Sequence, residues 1–202
     1  MRLLTGILLI CLLLLLVPVS PAEDSTAWYD KGVELMNQSK YPEAAAAFRN
    51  ATTIDPNNTW AWLNLGKAMQ EMNWITPSYD AFKNATNVDA NNTWAWIFRG
   101  NFLQSRGQIP QAITMYQAAI KGDSKNSWAY YHLGTAYQAL AQYKEAKQAF
   151  TNAITYDPNN EWAWYNLAMV LKSAGDFPGY QVNLKKAIAL DPELPKKVGL
   201  ST

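Results

Sequence analysis

From about residue 25 onward, apolar residues recur at i, i+3, i+4 and i+7, the spacing that gathers them on one stripe of an α-helix. Trp62, Leu65, Gly66 and Met69 illustrate it. The stripes come in pairs, a first amphipathic helix and a second, separated by a short break. Pro42, Pro110 and Pro178 fall where second helices begin, in a first turn that tolerates a missing N–H. Asp-Pro at 55, 157 and 191 marks where they end, because the residue before a proline is driven out of the helical region. Gly66, Gly100 and Gly134 each cost helix propensity, so their recurrence predicts that the second helix packs too closely there for a side chain. The chain therefore reads as all-α.

The pairs are copies of one unit. Asp55-Pro56-Asn57-Asn58-Thr59-Trp60-Ala61-Trp62 returns as Asp89-Ala90-Asn91-Asn92-Thr93-Trp94-Ala95-Trp96, then as Asp123-Ser124-Lys125-Asn126-Ser127-Trp128-Ala129-Tyr130. It returns again as Asp157-Pro158-Asn159-Asn160-Glu161-Trp162-Ala163-Trp164, with a spacing of 34 residues each time. A Trp, a Leu-Gly, an Ala, an aromatic and a Pro recur at fixed offsets within that period, as in Trp62, Leu65, Gly66, Phe82 and Ala85 or Tyr130, Leu133, Gly134, Ala146, Phe150 and Pro158. In this the chain resembles the tetratricopeptide repeat (TPR) family. The resemblance implies an α-solenoid of helix-turn-helix repeats wound as a right-handed superhelix. It divides the chain into repeats at 25–58, 59–92, 93–126, 127–160 and 161–194, with a tail at 195–202. The fifth copy departs from the pattern, with Ala168 and Tyr180 where Gly and Ala are expected. One pair of helices cannot cover its own apolar faces, whereas stacked pairs do.

Each helical residue turns about 100°, so a residue two before the core Trp points about 160° away from the buried stripe. This sets Trp60, Trp94, Trp128 and Trp162 on the far side of the first helices, which in the family lines a concave groove. The same sector carries Asn64, Lys67, Phe98, Asn101, His132 and Asn166. Aromatic faces interleaved with amides suit an extended ligand that has both polar and apolar parts. The expected function is a non-catalytic scaffold that presents this Trp-lined groove to a peptide or protein segment. Against it stands the reading in which each Trp packs on the neighbouring repeat, and, for the whole chain, a structural role as a self-assembling component of the cell envelope. The Lys, Asn and Arg clamp with which some family members hold chaperone C-termini is missing.

Charge and composition narrow the partners. With 17 basic and 16 acidic residues the chain is nearly neutral and has no electrostatic claim on nucleic acid. Cys11 is the only cysteine and His132 the only histidine, so neither a thiolate metal site nor a histidine cluster is expected, and no cofactor. Met1 and Arg2 followed by the apolar run Leu3 to Val17 and by Ser20-Pro21-Ala22 read as a secretory signal peptide over 1–22. Uncleaved, the run would be an N-terminal anchor and the chain's one membrane contact. Either way the repeats lie outside the cytoplasm, secreted or in the cell envelope. Export would open five N-x-[ST] sequons, at Asn37, Asn50, Asn57, Asn84 and Asn91, to glycosylation. At the open end, Val182, Ile188 and Leu190 suggest a weak self-contact, since no further repeat covers the last helix.

Overall fold

The computed structural model describes residues 24–200. The leader, with its expected cut after Ala22, lies outside the described residues. Eleven α-helices occupy them: α1 (Ser25–Asn37), α2 (Tyr41–Ile54), α3 (Thr59–Glu71), α4 (Ile75–Val88), α5 (Thr93–Ser105), α6 (Ile109–Gly122), α7 (Ser127–Ala139), α8 (Tyr143–Tyr156), α9 (Glu161–Ser173), α10 (Phe177–Leu190) and α11 (Leu194–Lys197). The first ten form five consecutive packed pairs, as the solenoid reading requires.

Every junction is written in local hydrogen bonds. Asp24, Asn58, Asn92, Asn126 and Asn160 cap the first helices, each side chain accepting from the N–H three residues on. Asp55, Asp89, Asp123, Asp157 and Asp191 end the second helices, and each carboxylate accepts from the N–H two residues on. The aspartate turn is thus the common terminator; the proline after it, present in three of the five, reinforces it. Between the helices of each pair, residues 39, 73, 107, 141 and 175 all take left-handed φ. Gly107 and Gly175 do so freely, whereas Ser39, Asn73 and Ala141 do so at φ 56–58°.

The expectation for the glycines holds atom by atom. A Cβ on Gly66 would lie 2.7 Å from the Phe82 ring, one on Gly100 2.5 Å from Tyr116, and one on Gly134 2.7 Å from Phe150, all rings on the second helix of the same pair. In the last pair Ala168 takes the glycine's place, and Leu184 stands in register with those rings. The extra Cβ of Ala168 thus coincides with the loss of the facing ring at 184; Tyr180, the other departure, is half-buried.

The single buried stripe expected of each first helix is too narrow. In α3, Ala61, Leu63 and Ala68 are buried together with Leu65, Gly66 and Met69. The cause is layering: α3 touches α2, α4, α1 and α5, whereas no second helix touches the next second helix. The first helices are consequently the inner layer, covered on several sides. At the far end the short α11 packs against α10. Its Leu194 is fully buried, and Lys197 pairs with Asp191 at 2.7 Å. Ile188 and Leu190 are half-buried, so the open face is narrower than the sequence suggests; Val182 stays exposed.

Candidate functional site

Seven of the nine tryptophans form two rows two residues apart. Trp62, Trp96 and Trp164 each donate Nε1–H to a carbonyl of the preceding turn, from Pro56, Ala90 and Pro158, at 2.8–2.9 Å. These side chains lock each first helix to the turn before it. Tyr130, which replaces this Trp, stacks on Tyr156 instead.

The other row, Trp60, Trp94, Trp128 and Trp162, sits in the first turn of four inner-layer helices. Trp60 is 46% exposed, Trp128 41% and Trp94 37%, while Trp162 is half-buried. Their ring contacts run along their own helices. Trp94 tilts on Phe98 at 6.3 Å, Trp128 meets Tyr131 edge-on at 5.7 Å, and Trp162 meets Tyr165 edge-on at 6.3 Å. Trp94, Trp128 and Trp162 are thus each supported by a ring of their own helix, and all four indoles keep open surface.

Beneath the row, the amides serve the fold as well as the surface. Asn64 donates Nδ2–H to the Trp60 carbonyl and to the Tyr29 hydroxyl on α1, the first helix of the preceding pair, both at 3.1 Å. Asn166 repeats the arrangement with the Trp162 carbonyl at 2.9 Å and the Tyr131 hydroxyl at 3.5 Å. These two residues tie neighbouring inner helices together and have few protons left for a ligand. Lys67 lies 5.1 Å over the Phe98 ring, which in turn stacks on Phe82.

The middle of the surface is the least expected part. Tyr116 is fully buried, and its hydroxyl donates to Gln104 Oε1 at 2.8 Å and lies 2.7 Å from the Asn101 Oδ1. Gln104 reaches on to Thr135 at 3.4 Å. His132 stacks on Tyr116 at 5.6 Å and contacts Trp128 and Tyr131. Burial among these rings depresses the imidazole pKa to about 4, so it is neutral at physiological pH, and burial raises the Tyr116 phenol. His132 is therefore a packing residue first. Sequence reading missed Tyr116 and Gln104; the available signal was a hydroxyl on a ring position that Phe48, Phe82 and Phe150 fill elsewhere.

Of the sequon asparagines, Asn37, Asn50, Asn57 and Asn91 are exposed and Asn84 is half-buried, while Thr52, Thr59, Thr86 and Thr93 of the same sequons are buried. Among the described residues no helix is long and apolar enough to cross a membrane.

Three family models of the tetratricopeptide repeat match the chain, one at residues 27–73 and 100–141, one at 127–160 and one at 149–179, together more than half of it. No curated protein matches. Among solved structures, the MamA protein superposes with a TM-score of 0.70 at 22% identity, over 89% of this chain and 98% of that one. YrrB, described as a TPR protein with an unusual peptide-binding site, gives 0.64 at 20% identity over 86% and 89%. PilF of Pseudomonas aeruginosa gives 0.74 at 17% identity over 87% and 85%.

Proposed function

The chain belongs to the tetratricopeptide repeat family, and from that premise we propose that it is an exported, non-catalytic scaffold whose inner layer receives a segment of another protein across its indole row. The observation that carries the reading is that Trp60, Trp94 and Trp128 keep more than a third of their surface open although buried positions lie within a residue of each. Partly exposed indoles in a row are the chemistry of binding hot spots. Their support by Phe98 and Tyr131 holds the rings in place before a partner arrives, which lowers the entropy cost of binding. YrrB, a fold relative, is described by its peptide-binding site; a peptide ligand here is by analogy.

Export follows from the leader: processing after Ala22 releases the repeats outside the cytoplasm, and retention anchors them at the membrane. Exposed Asn37, Asn50, Asn57 and Asn91 are then the sequons best placed to carry glycans, with Asn84 less so.

The test is capture of partners from envelope extract by the processed chain and by a Trp94→Ala/Trp128→Ala variant of equal helicity. A partner retained by the first and lost by the second supports the groove; equal retention by both refutes it.

A further inference from the structure

Among α1–α10, the junction of α4 with α5 is the loosest of the consecutive contacts. The sequence departs from the repeat pattern at the same place, since no family model covers residues 74–99. Arg99 stands where Leu65, Leu133 and Leu167 stand in other copies. Its guanidinium is held by Thr86 at 3.1 Å and by the Tyr79 hydroxyl at 2.9 Å, between the Tyr79 and Trp96 rings. Two adjoining clefts of about 480 and 210 Å³ open at this seam and share Ile75, Phe102 and Arg106 as walls. None of the lining residues is acidic, and Trp74 and Ile75 at the rim are 49% and 38% exposed. The lining is mixed, apolar at Trp74, Ile75 and Phe102 and cationic at Arg106, and it suits a bulky apolar side chain next to a carboxylate.

The described chain carries one open pair of that kind. Ile54-Asp55 and Tyr156-Asp157 also join an exposed apolar residue to an aspartate, but those carboxylates already accept from Asn57 and Asn159 and are half-buried. Phe177 is 60% exposed and follows Asp176, which is exposed and uses Oδ1 to cap Gly179. Arg106 and Phe177 both lie at turns that join the first helix of a pair to the second, so they share one edge of the solenoid. That edge is opposite the end of the inner helices where the indole row sits.

We propose that the α4–α5 seam is a self-association site that receives the Asp176–Phe177 corner of a second copy, Phe177 entering between Ile75 and Phe102 while Asp176 meets Arg106. Because seam and corner share an edge, two copies laid edge to edge about a twofold axis make the contact twice, the closed arrangement most oligomers adopt. The contact moves the expected self-association from Val182 and Ile188 to Phe177. It does not depend on the groove reading, whose indoles take no part in it.

Sedimentation velocity over a wide concentration range tests it on the processed chain. The native protein is expected to pass from monomer to dimer as concentration rises. Arg106→Glu and Asp176→Arg each place like charges at both contacts and should remain monomeric alone, yet dimerise when mixed in equal amounts, because the mixed pair restores one original contact and creates its charge-reversed twin. Asp176→Asn, which keeps a capping oxygen, should weaken association without loss of helicity. Trp94→Ala should leave association unchanged, which separates this site from the groove. A native chain monomeric at every concentration, or a mixture that behaves as its components, overturns the proposal.

Discussion

Replacing Gly134 by Ala inserts one methyl group where no space exists. The new Cβ would lie 2.7 Å from both Cδ1 and Cε1 of Phe150, whose side chain is fully buried and cannot swing to solvent. Overpacking of this kind costs about 1–3 kcal/mol, and an approach of 2.7 Å to a ring that cannot move puts this one at about 2–3 kcal/mol. The gain in helix propensity from Gly to Ala returns about 1 kcal/mol, leaving a net loss of about 1–2 kcal/mol. Phe150→Leu alone removes ring volume from the core and is expected to cost about 1–2 kcal/mol. If the two changes were independent, the double variant would lose about 2–4 kcal/mol. The neighbouring repeat carries Ala168 with Leu184 in those positions, so the double variant should instead recover to within about 1 kcal/mol of the native chain, a coupling well above the ~0.5 kcal/mol scatter of independent sites. Urea unfolding followed by far-ultraviolet circular dichroism and by tryptophan fluorescence measures it, and the two probes must coincide because repeat arrays can unfold in parts. Losses that simply add would refute the compensation argument.

Three further outcomes are expected. His132 has a folded pKa of about 4, below its ordinary 6.5, so the unfolded chain binds its proton first: stability is unaffected above about pH 6.5 and falls as the pH drops toward 4, by on the order of 3 kcal/mol. Compared with a His132→Phe variant, whose acid limb lacks that component, pH-dependent unfolding measures the difference, and an imidazole titrating near 6.5 by NMR would refute it. Ala141→Gly should stabilise the chain by about 0.5–1 kcal/mol, because φ 56° strains alanine and not glycine; a loss in thermal unfolding would contradict the turn geometry. Asn126→Ala should cost about 1 kcal/mol through the lost cap to Ala129, read in the same unfolding assay.

The fold was legible because the repeat states it several times. Glycine at 66, 100 and 134 predicts a close approach, and the rings of Phe82, Tyr116 and Phe150 supply it. Single-helix periodicity went wrong where burial is decided by the stack. It marks one stripe on α3, yet Leu63 on another side is 1% exposed, because helices above and below in the solenoid cover it. A period of 3.6 residues records which face is apolar and is silent on how many neighbours press on the helix. The proline rule was also partial: Asp89 and Asp123 end their helices without a following proline, through the same carboxylate turn as the others.

The two tryptophan rows carry the corresponding lesson for the site. Trp60 and Trp62 are the same residue type two positions apart, and helical geometry separates their directions, but only the turn carbonyl of Pro56 decides that Trp62 has its indole N–H satisfied internally. The amides show the opposite limit. Asn64 and Asn166 occupy one repeat position and look like ligand donors in sequence, yet each finds a tyrosine hydroxyl on the first helix of the preceding pair, Tyr29 on α1 or Tyr131 on α7. Leu63 and Ile97 stand at the tyrosine's repeat position, and there the amide's place is taken by Phe98 and His132. These exchanges are paired across adjacent repeats, apolar with aromatic and hydroxyl with amide. The inner surface therefore changes character along its length, amide-braced near Trp60 and Trp162 and ring-packed near Trp94 and Trp128. A segment crossing all four indoles, as proposed above, would meet two chemistries, with Phe98 and His132 beneath its middle section.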